Sequence, residues 1–223
     1  MTGRHHGPVT LPATPAPTDQ ELLARQDELQ READLVAGDL ALEELLGRVG
    51  RPVRVGSSVL GLMVWRDLDV TVVCDRLDLR AVVLAGADLA GHPRVGRLMF
   101  RNDSGPWNED AGYYPDGLYL GPGYRTAKGQ DWKIDIWFVD DPGRQPDLQH
   151  IETLPGRLDT ERRLAILRIK HAWAGRPEYG QSVRSFDVYS AVLDAGVRDP
   201  AGFDAWLAQR SARAITSPPE GSP

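Results

Sequence analysis

Two aspartates, Asp67 and Asp69, open an apolar segment that continues Val-Thr-Val-Val. Alternate residues of a β-strand point to the same side of the sheet, so both carboxylates are expected to face one way. Carboxylate oxygens are hard ligands that suit a divalent cation such as Mg²⁺, especially when substrate phosphates complete the coordination. The pair therefore indicates metal-dependent chemistry on a phosphate-bearing substrate.

A small-residue turn precedes this pair. Gly56 and Ser57 follow a short apolar strand, Val53 to Val55, and lie at the start of a predicted helix. Small side chains let exposed backbone N–H groups approach a phosphate at such a position. We therefore expect Gly56 and Ser57 to bind the phosphate end of the substrate, although Gly-Ser after a strand is also a common plain turn.

The order Gly-Ser, helix, Asp-x-Asp resembles the nucleotidyltransferases built like the palm of DNA polymerase beta. The residues that carry the resemblance are Gly56, Ser57, Gly61, Asp67 and Asp69. The resemblance implies an α/β (α+β) fold: a small mixed sheet flanked by helices, with a C-terminal helical lobe. It covers the chain from the strand near Val53 to the strand near Phe138.

The same resemblance implies a third acidic residue on a later strand, for which Asp135 is the candidate. In that segment Ile134, Ile136 and Phe138 alternate with polar or amphipathic residues, so Asp135 is expected on the face away from the apolar side chains. One departure from the family pattern is Val64-Trp65-Arg66, where small polar residues are usual. It is expected to change the shape of the site entrance but not the ligands.

The implied reaction is transfer of a nucleoside monophosphate from a nucleoside triphosphate (NTP) to an acceptor, with pyrophosphate leaving. Asp67, Asp69 and Asp135 are expected to be both catalytic and metal-binding, holding two Mg²⁺ ions, with Mn²⁺ as an alternative. Asp135 is also a candidate acceptor of the proton. Lys170 lies at the edge of the apolar face of a predicted helix. It is expected either to reach a triphosphate or to extend along the surface.

The resemblance to nucleotidyltransferases does not identify the acceptor. Formal net charge is −6 and the sequence pI is near 5.4. This acidity disfavours non-specific binding of nucleic acid and favours a small, antibiotic-like molecule as the acceptor. A toxin that modifies tRNA or protein is the alternative. A non-catalytic nucleotide-binding module of the same fold is a second alternative. A metal-dependent phosphohydrolase is disfavoured because the sequence has no His-Asp pair or His-x-His.

Other features of the sequence indicate the cellular compartment. Cys74 is the only cysteine, so no intrachain disulfide forms, and it is expected to be a buried thiol. There is no apolar run of signal-peptide or membrane-spanning length. These features favour a cytoplasmic protein.

Four segments are expected along the chain. They are a disordered leader (1–18), a catalytic domain with N-terminal helices (19–155), a helical lobe (156–215) and a disordered tail (216–223). The pair His5 and His6 lies in the leader and is expected to be solvated. Thr18 and Glu21 form a capping-box signature for the first helix, and Asp39 is a candidate cap for the second.

Residues 101–116 are rich in Gly, Pro, Asn and Asp and are expected to form a long loop beside the site, a possible lid. Its aromatic residues could stack on a base or acceptor ring, although packing against the domain is the commoner use. The aromatic residues of this loop are Trp107, Tyr113 and Tyr114. A glycine-rich turn at 121–129 supplies two further candidate phosphate contacts, Arg125 and Lys128. His171, in a later predicted helix, is expected to be structural.

Overall fold

A computed structural model describes residues 16–112 and 114–216 of the chain. Within those ranges it contains eight α-helices and five β-strands. The helices are α1 (Asp19–Asp39), α2 (Leu42–Gly47), α3 (Ser57–Leu60), α4 (Leu79–Ala90), α5 (Pro146–Thr153), α6 (Thr160–Trp173), α7 (Ser185–Leu193) and α8 (Pro200–Thr216). The strands are β1 (Arg51–Val55), β2 (Asp67–Val73), β3 (Val95–Asp103), β4 (Gly117–Arg125) and β5 (Asp131–Val139).

The strands form one mixed sheet in the order β1-β2-β5-β4-β3. β2 and β5 are parallel, and the other neighbours are antiparallel. A parallel pair requires a crossover connection; here the chain between β2 and β5 also contributes α4, β3 and β4. The arrangement confirms the predicted mixed sheet flanked by helices.

The two faces of the sheet differ in chemistry because each strand alternates. On one face, Leu68, Ile134 and Phe138 are fully buried in a core that also includes residues of α1, α2 and α4. The opposite face carries Asp67, Asp69 and Asp135. The apolar alternation that buries one face therefore fixes the direction of the acidic side chains.

A second apolar cluster joins the C-terminal helices. It contains Ile166 and Ile169 of α6, Val188 of α7 and Phe203 of α8, together with Leu62 from the segment between α3 and β2. Leu62 is fully buried. The helices that follow the sheet therefore pack directly against the chain that leads into the Asp67 strand.

The N-terminal helix begins as predicted. Thr18 and Glu21 form the capping box, with the Glu21 backbone N–H donating to Thr18 Oγ1 at 3.3 Å. The prediction that Asp39 caps the second helix is wrong. Asp39 is the last residue of α1, and its carboxylate accepts hydrogen bonds from Tyr124 and Arg94, while Ala41 precedes α2 with φ +47°.

The strands around the predicted loop are longer than expected. β3 continues to Asp103 and β4 to Arg125, so the loop spans residues 104–116 and the later turn is confined to residues 126–130. The glycines at 121 and 123 lie within β4, where their lack of a side chain makes room for neighbouring side chains, and do not form a turn. Cys74 is buried, as predicted.

The expected disorder of residues 1–15 and 217–223, including His5 and His6, lies outside the described residues. Residues 16–18 of the expected leader are described and lead directly into α1. Among the described helices, none combines the length and apolarity needed to cross a bilayer.

Candidate active site

The structure brings together the three predicted carboxylates. Asp67 and Asp69 are the first and third residues of β2, and Asp69 pairs in register with Asp135 on the parallel strand β5. Each of the three contributes one carboxylate oxygen to a group in which all atoms lie within 4.8 Å of one another. Like charges at this spacing repel, so the arrangement is suited to a cation that bridges them.

The electrostatics of the two β2 aspartates fit that interpretation. Burial raises the pKa of Asp67, and burial followed by repulsion from Asp67 and Asp135 raises the pKa of Asp69 well above its usual value. The Oδ1 atom of Asp67 is buried and accepts no hydrogen bond. An oxygen-only donor set with an unsatisfied carboxylate atom fits Mg²⁺ or another hard divalent cation.

Sequence reasoning missed the neighbours that hold these carboxylates. Lys133 contacts Asp135 Oδ2, and its Nζ lies 3.8 Å from Asp67 Oδ1. Tyr119 OH donates to Asp135 Oδ1 at 2.6 Å, and Trp65 Nε1 donates to Asp67 Oδ2 at 3.3 Å. The signal for Lys133 was its position two residues before Asp135 on the same face. The signal for Trp65 was its departure from the family pattern.

Gly56 lies against one of the carboxylates. It has φ +69°, and a Cβ at this position would be 2.3 Å from Asp69 Oδ2. The position therefore requires glycine both for its backbone conformation and for space. Ser57, which is buried, begins α3 beside it, so the predicted Gly-Ser turn is next to the carboxylates.

Of the two expectations for Lys170, extension along the surface is wrong. Its side chain is 1% exposed, and its Nζ donates to the Leu62 carbonyl at 2.7 Å. Nζ also lies 5.7 Å from the ring centroids of both Trp65 and Tyr189. Burial lowers the pKa of Lys170 to about 8, although Asp67 and Asp69 act in the opposite direction. The lysine is interior because α6 packs against the segment between α3 and β2.

A cavity of about 660 Å³ lies in front of the carboxylates, large enough for a nucleotide. The sheet side is lined by the three aspartates with Gly56 and Ser57, and the helical side includes Tyr179, Arg184, Ser185 and Phe186. Asp147 and His150 of α5 also face it, and the His150 ring stacks on Phe186 with centroids 4.6 Å apart. Trp65 also lines this cavity, so the departure from the family pattern at that position forms part of its wall.

Of the other described residues expected to contact the substrate, only Tyr114 lines the cavity. Tyr114 lines the cavity and its OH accepts a hydrogen bond from Arg184, whereas Trp107 is 67% exposed and is not part of the lining. Tyr113 lies outside the described residues. Arg125 forms a two-point ion pair with Asp131 and, like Lys128, does not line the cavity.

Solved structures share this fold. The Cid1 poly(U) polymerase with MgGTP bound matches with a TM-score of 0.52 at 18% identity, over 78% of this chain and 54% of that chain. Cid1 in complex with its short product ApU matches with a TM-score of 0.51 at 17% identity, over 79% and 54%. A weaker likeness, with a TM-score of 0.43 at 17% identity over 83% and 65%, is to the CdnC:HORMA-deltaN complex of E. coli MS115-1.

The chain spans about half the length of the Cid1 chains it matches. No protein-family model matches the sequence, and a search of curated proteins gave no significant match. The fold is that of the polymerase-beta-like nucleotidyltransferases, as the Gly-Ser and Asp-x-Asp pattern predicted.

Proposed function

We propose that the protein is a metal-dependent nucleotidyltransferase that moves a nucleoside monophosphate from an NTP to an acceptor hydroxyl. The observation that carries this proposal is the convergence of Asp67, Asp69 and Asp135 within 4.8 Å, beside Gly56 and in front of a cavity of nucleotide size. The fold shared with Cid1, one structure of which contains MgGTP, supports it.

Each carboxylate has a distinct role in this proposal. Asp67 and Asp69 would hold a first Mg²⁺ and share a second with Asp135; Mn²⁺ is an alternative. When bound, such ions neutralise charge that develops on the phosphates and lower the pKa of the acceptor hydroxyl. Asp135 would accept the hydroxyl proton, with its Oδ1 held by Tyr119.

The covalent step follows from these positions. The acceptor oxygen forms a bond to the α-phosphorus, the bond from that phosphorus to the α–β bridging oxygen breaks, and pyrophosphate leaves with the electron pair. Gly56 and Ser57 would hold the β- and γ-phosphates. Lys170 would attract the triphosphate through its charge, which interacts with those of Asp67 and Asp69, from a position 5.7 Å from the Trp65 ring centroid.

For the acceptor we propose a small molecule, supported by the acidic net charge of −6. A tRNA or protein acceptor is the second candidate, and the Cid1 complex with its product ApU supports the RNA acceptor of these two. We also propose a catalytic domain of residues 19–155, a helical lobe of residues 156–215 facing it across the cavity, and a cytoplasmic location.

A non-catalytic nucleotide-binding module is the remaining alternative. It predicts NTP binding without transfer. The intact residue set argues against it, because a member that had lost catalysis would be expected to have lost Asp67, Asp69 or the Gly-Ser turn, and all are present.

The test is incubation with each α-³²P-labelled NTP, Mg²⁺ and a panel of small molecules, tRNA and protein. Label transferred by the wild type but not by Asp67→Asn/Asp69→Asn supports the proposal and identifies the acceptor class. The charge-matched control is Asp27→Asn/Asp88→Asn, which changes two exposed helix residues. Calorimetric binding of Mg·NTP without transfer to any acceptor would favour the binding module, and absence of NTP binding would overturn both.

A further inference from the structure

The open face of the sheet carries two rows of side chains that lead away from the carboxylates. In the first row, Arg97 of β3 is opposite Gly123 of β4, which is opposite Lys133 of β5, which is opposite Asp67. In the second, Arg101 is opposite Tyr119, which is opposite Trp137. Each row begins with an arginine on the edge strand.

Both arginines lie over the sheet. A Cβ at Gly123 would be 2.7 Å from Cγ and Nε of Arg97, so the Arg97 side chain crosses the glycine toward β5. The guanidinium carbon of Arg101 lies 4.8 Å from the Tyr119 ring centroid and 5.3 Å from that of Trp137. The Tyr119 hydroxyl beneath it donates to Asp135. The cationic groups are thus held on the face that carries the carboxylates.

Three cationic side chains lie on this face in an acidic protein. Arg101 is paired with Asp103. Arg97 is exposed and makes no ion pair within the described part of the chain, although its charge acts on Asp131, which is paired with Arg125. Lys133 is 62% exposed, so its end is free to move once another cation occupies the carboxylates. A guanidinium held over the sheet is suited to donate two hydrogen bonds to the oxygens of a phosphate.

The sheet order decides which substrate meets this face. Gly56 and Ser57 lie beyond β2, on the β1 side of the carboxylates, and β4 and β3 lie beyond Asp135 on the other side. In an in-line displacement the attacking and leaving oxygens lie on opposite sides of the α-phosphorus. With pyrophosphate leaving on the β1 side, the acceptor approaches over β4 and β3.

We infer that Arg97, Arg101 and Lys133 form an acceptor surface for a molecule with a phosphate near its attacking hydroxyl, as in a nucleotide or the end of an RNA. The inference rests on the proposed nucleotidyl transfer and names the chemistry of its acceptor. It disfavours cationic acceptors such as aminoglycosides, because two arginines and a lysine would repel them. Trp137 beside Arg101 offers a ring for a base to contact.

The test measures binding and does not depend on turnover. The probes are adenosine 5′-monophosphate, followed by calorimetry, and a short 5′-fluorescein-labelled oligoadenylate RNA, followed by anisotropy. The NTP subsite is first saturated with Mg²⁺ and the α,β-methylene analogue of whichever NTP binds. The variants are Arg97→Gln/Arg101→Gln and a charge-matched control on the outer helices, Arg25→Gln/Arg48→Gln.

We expect the wild type and the control to bind at least one probe alike, and Arg97→Gln/Arg101→Gln to bind it about tenfold or more weakly, because charge-assisted phosphate contacts are lost. If the RNA is the ligand, the salt dependence of its binding should fall by about 0.7 in log–log slope for each lost contact. Binding of the monophosphate alone identifies a mononucleotide acceptor, and binding of the RNA alone identifies a polymer.

The inference is overturned if neither probe binds, if the arginine variant binds like the wild type, or if an aminoglycoside binds more tightly than both probes. Failure of the nucleotidyl-transfer proposal has a different signature. In that case no NTP binds in the preceding titration, while binding of the two probes to the untreated protein is still measured.

Discussion

The Nζ of Lys170 donates a 2.7 Å hydrogen bond to the carbonyl oxygen of Leu62. From the same helix, Arg163 donates to the carbonyls of Leu60 and Gly61 at 2.8 Å each. Two cations of α6 therefore hold three successive carbonyls in the segment that leads into the Asp67 strand. This contact connects the C-terminal helices to the position of the carboxylates.

Lys170 predicts a pH dependence of stability. Its pKa is lowered by burial from 10.5 to about 8, so above pH 8 the unfolded chain binds more protons at this residue than the native protein does. Stability from this group therefore rises with pH between about 8 and 10.5, with a slope of at most about 1.4 kcal/mol per pH unit. Urea unfolding at several pH values should show this rise in the unfolding free energy of the wild type minus that of Lys170→Met. The difference removes the contribution of the buried tyrosines, whose raised pKa values act in the same pH range.

The matched control for that experiment is Lys128→Met, because Lys128 is exposed. Its unfolding free energy should keep the pH profile of the wild type. A Lys170→Met profile parallel to that of the wild type across this range would mean that the buried amine does not give up its proton there.

Gly56→Ala should disable the site. The new Cβ would meet Asp69 Oδ2 at 2.3 Å, and φ +69° is strained for alanine. We expect a loss of about 1–3 kcal/mol in unfolding free energy and loss of Mg·NTP binding, measured by urea unfolding and calorimetry. Gly47→Ala, where nothing lies within 4 Å of the added carbon, should be neutral or slightly stabilising. Equal Mg·NTP affinity in both variants would contradict the proposed contact.

Asp69→Asn should stabilise the protein in the absence of metal. The raised pKa of Asp69 means that its ionised form is unfavourable in the native state, so wild-type stability from this group falls as pH rises through the native pKa. Removing that charge should add about 1 kcal/mol at neutral pH and remove the stabilisation that Mg²⁺ gives to the wild type. Thermal unfolding with and without Mg²⁺ and EDTA measures both effects. A variant that is less stable without metal would show that burial of the Asp69 charge and its repulsion by Asp67 and Asp135 do not destabilise the metal-free protein.

Lys133→Met should tighten metal binding. In the metal-free protein the Lys133 amine contacts Asp135 and lies 3.8 Å from Asp67 Oδ1, so it competes with a divalent cation for the same carboxylates. We expect the apparent Kd for Mg²⁺ or Mn²⁺ to fall about threefold to tenfold, and the metal-free protein to lose some stability. Calorimetric titration of Lys133→Met with each metal, with Lys128→Met as the control, tests this. Weaker metal binding in Lys133→Met would show that the amine assists the cation.

The sequence by itself determined the local features of the site. Alternation of apolar and polar residues placed Asp67, Asp69 and Asp135 on one face of their strands, and the Gly-Ser turn before them indicated the superfamily whose fold the structure has. The predicted Thr18–Glu21 capping box was also confirmed. Alternation, the Gly-Ser turn and the capping box are readable from sequence because each depends on residues only a few positions apart. The catalytic and binding roles and the boundary between residues 155 and 156 stay predictions.

Only the tertiary structure decided which segments meet. The order β1-β2-β5-β4-β3 placed Tyr119 beside Asp135 and Lys133 beside Asp67, and laid Arg97 and Arg101 over the face that carries the carboxylates. Packing of α6 against the segment before β2 buried Lys170, for which the sequence had left both a surface and an inward position open. Such contacts depend on long-range pairing and on which face of a helix finds a partner, and neither is encoded in the spacing of neighbouring residues.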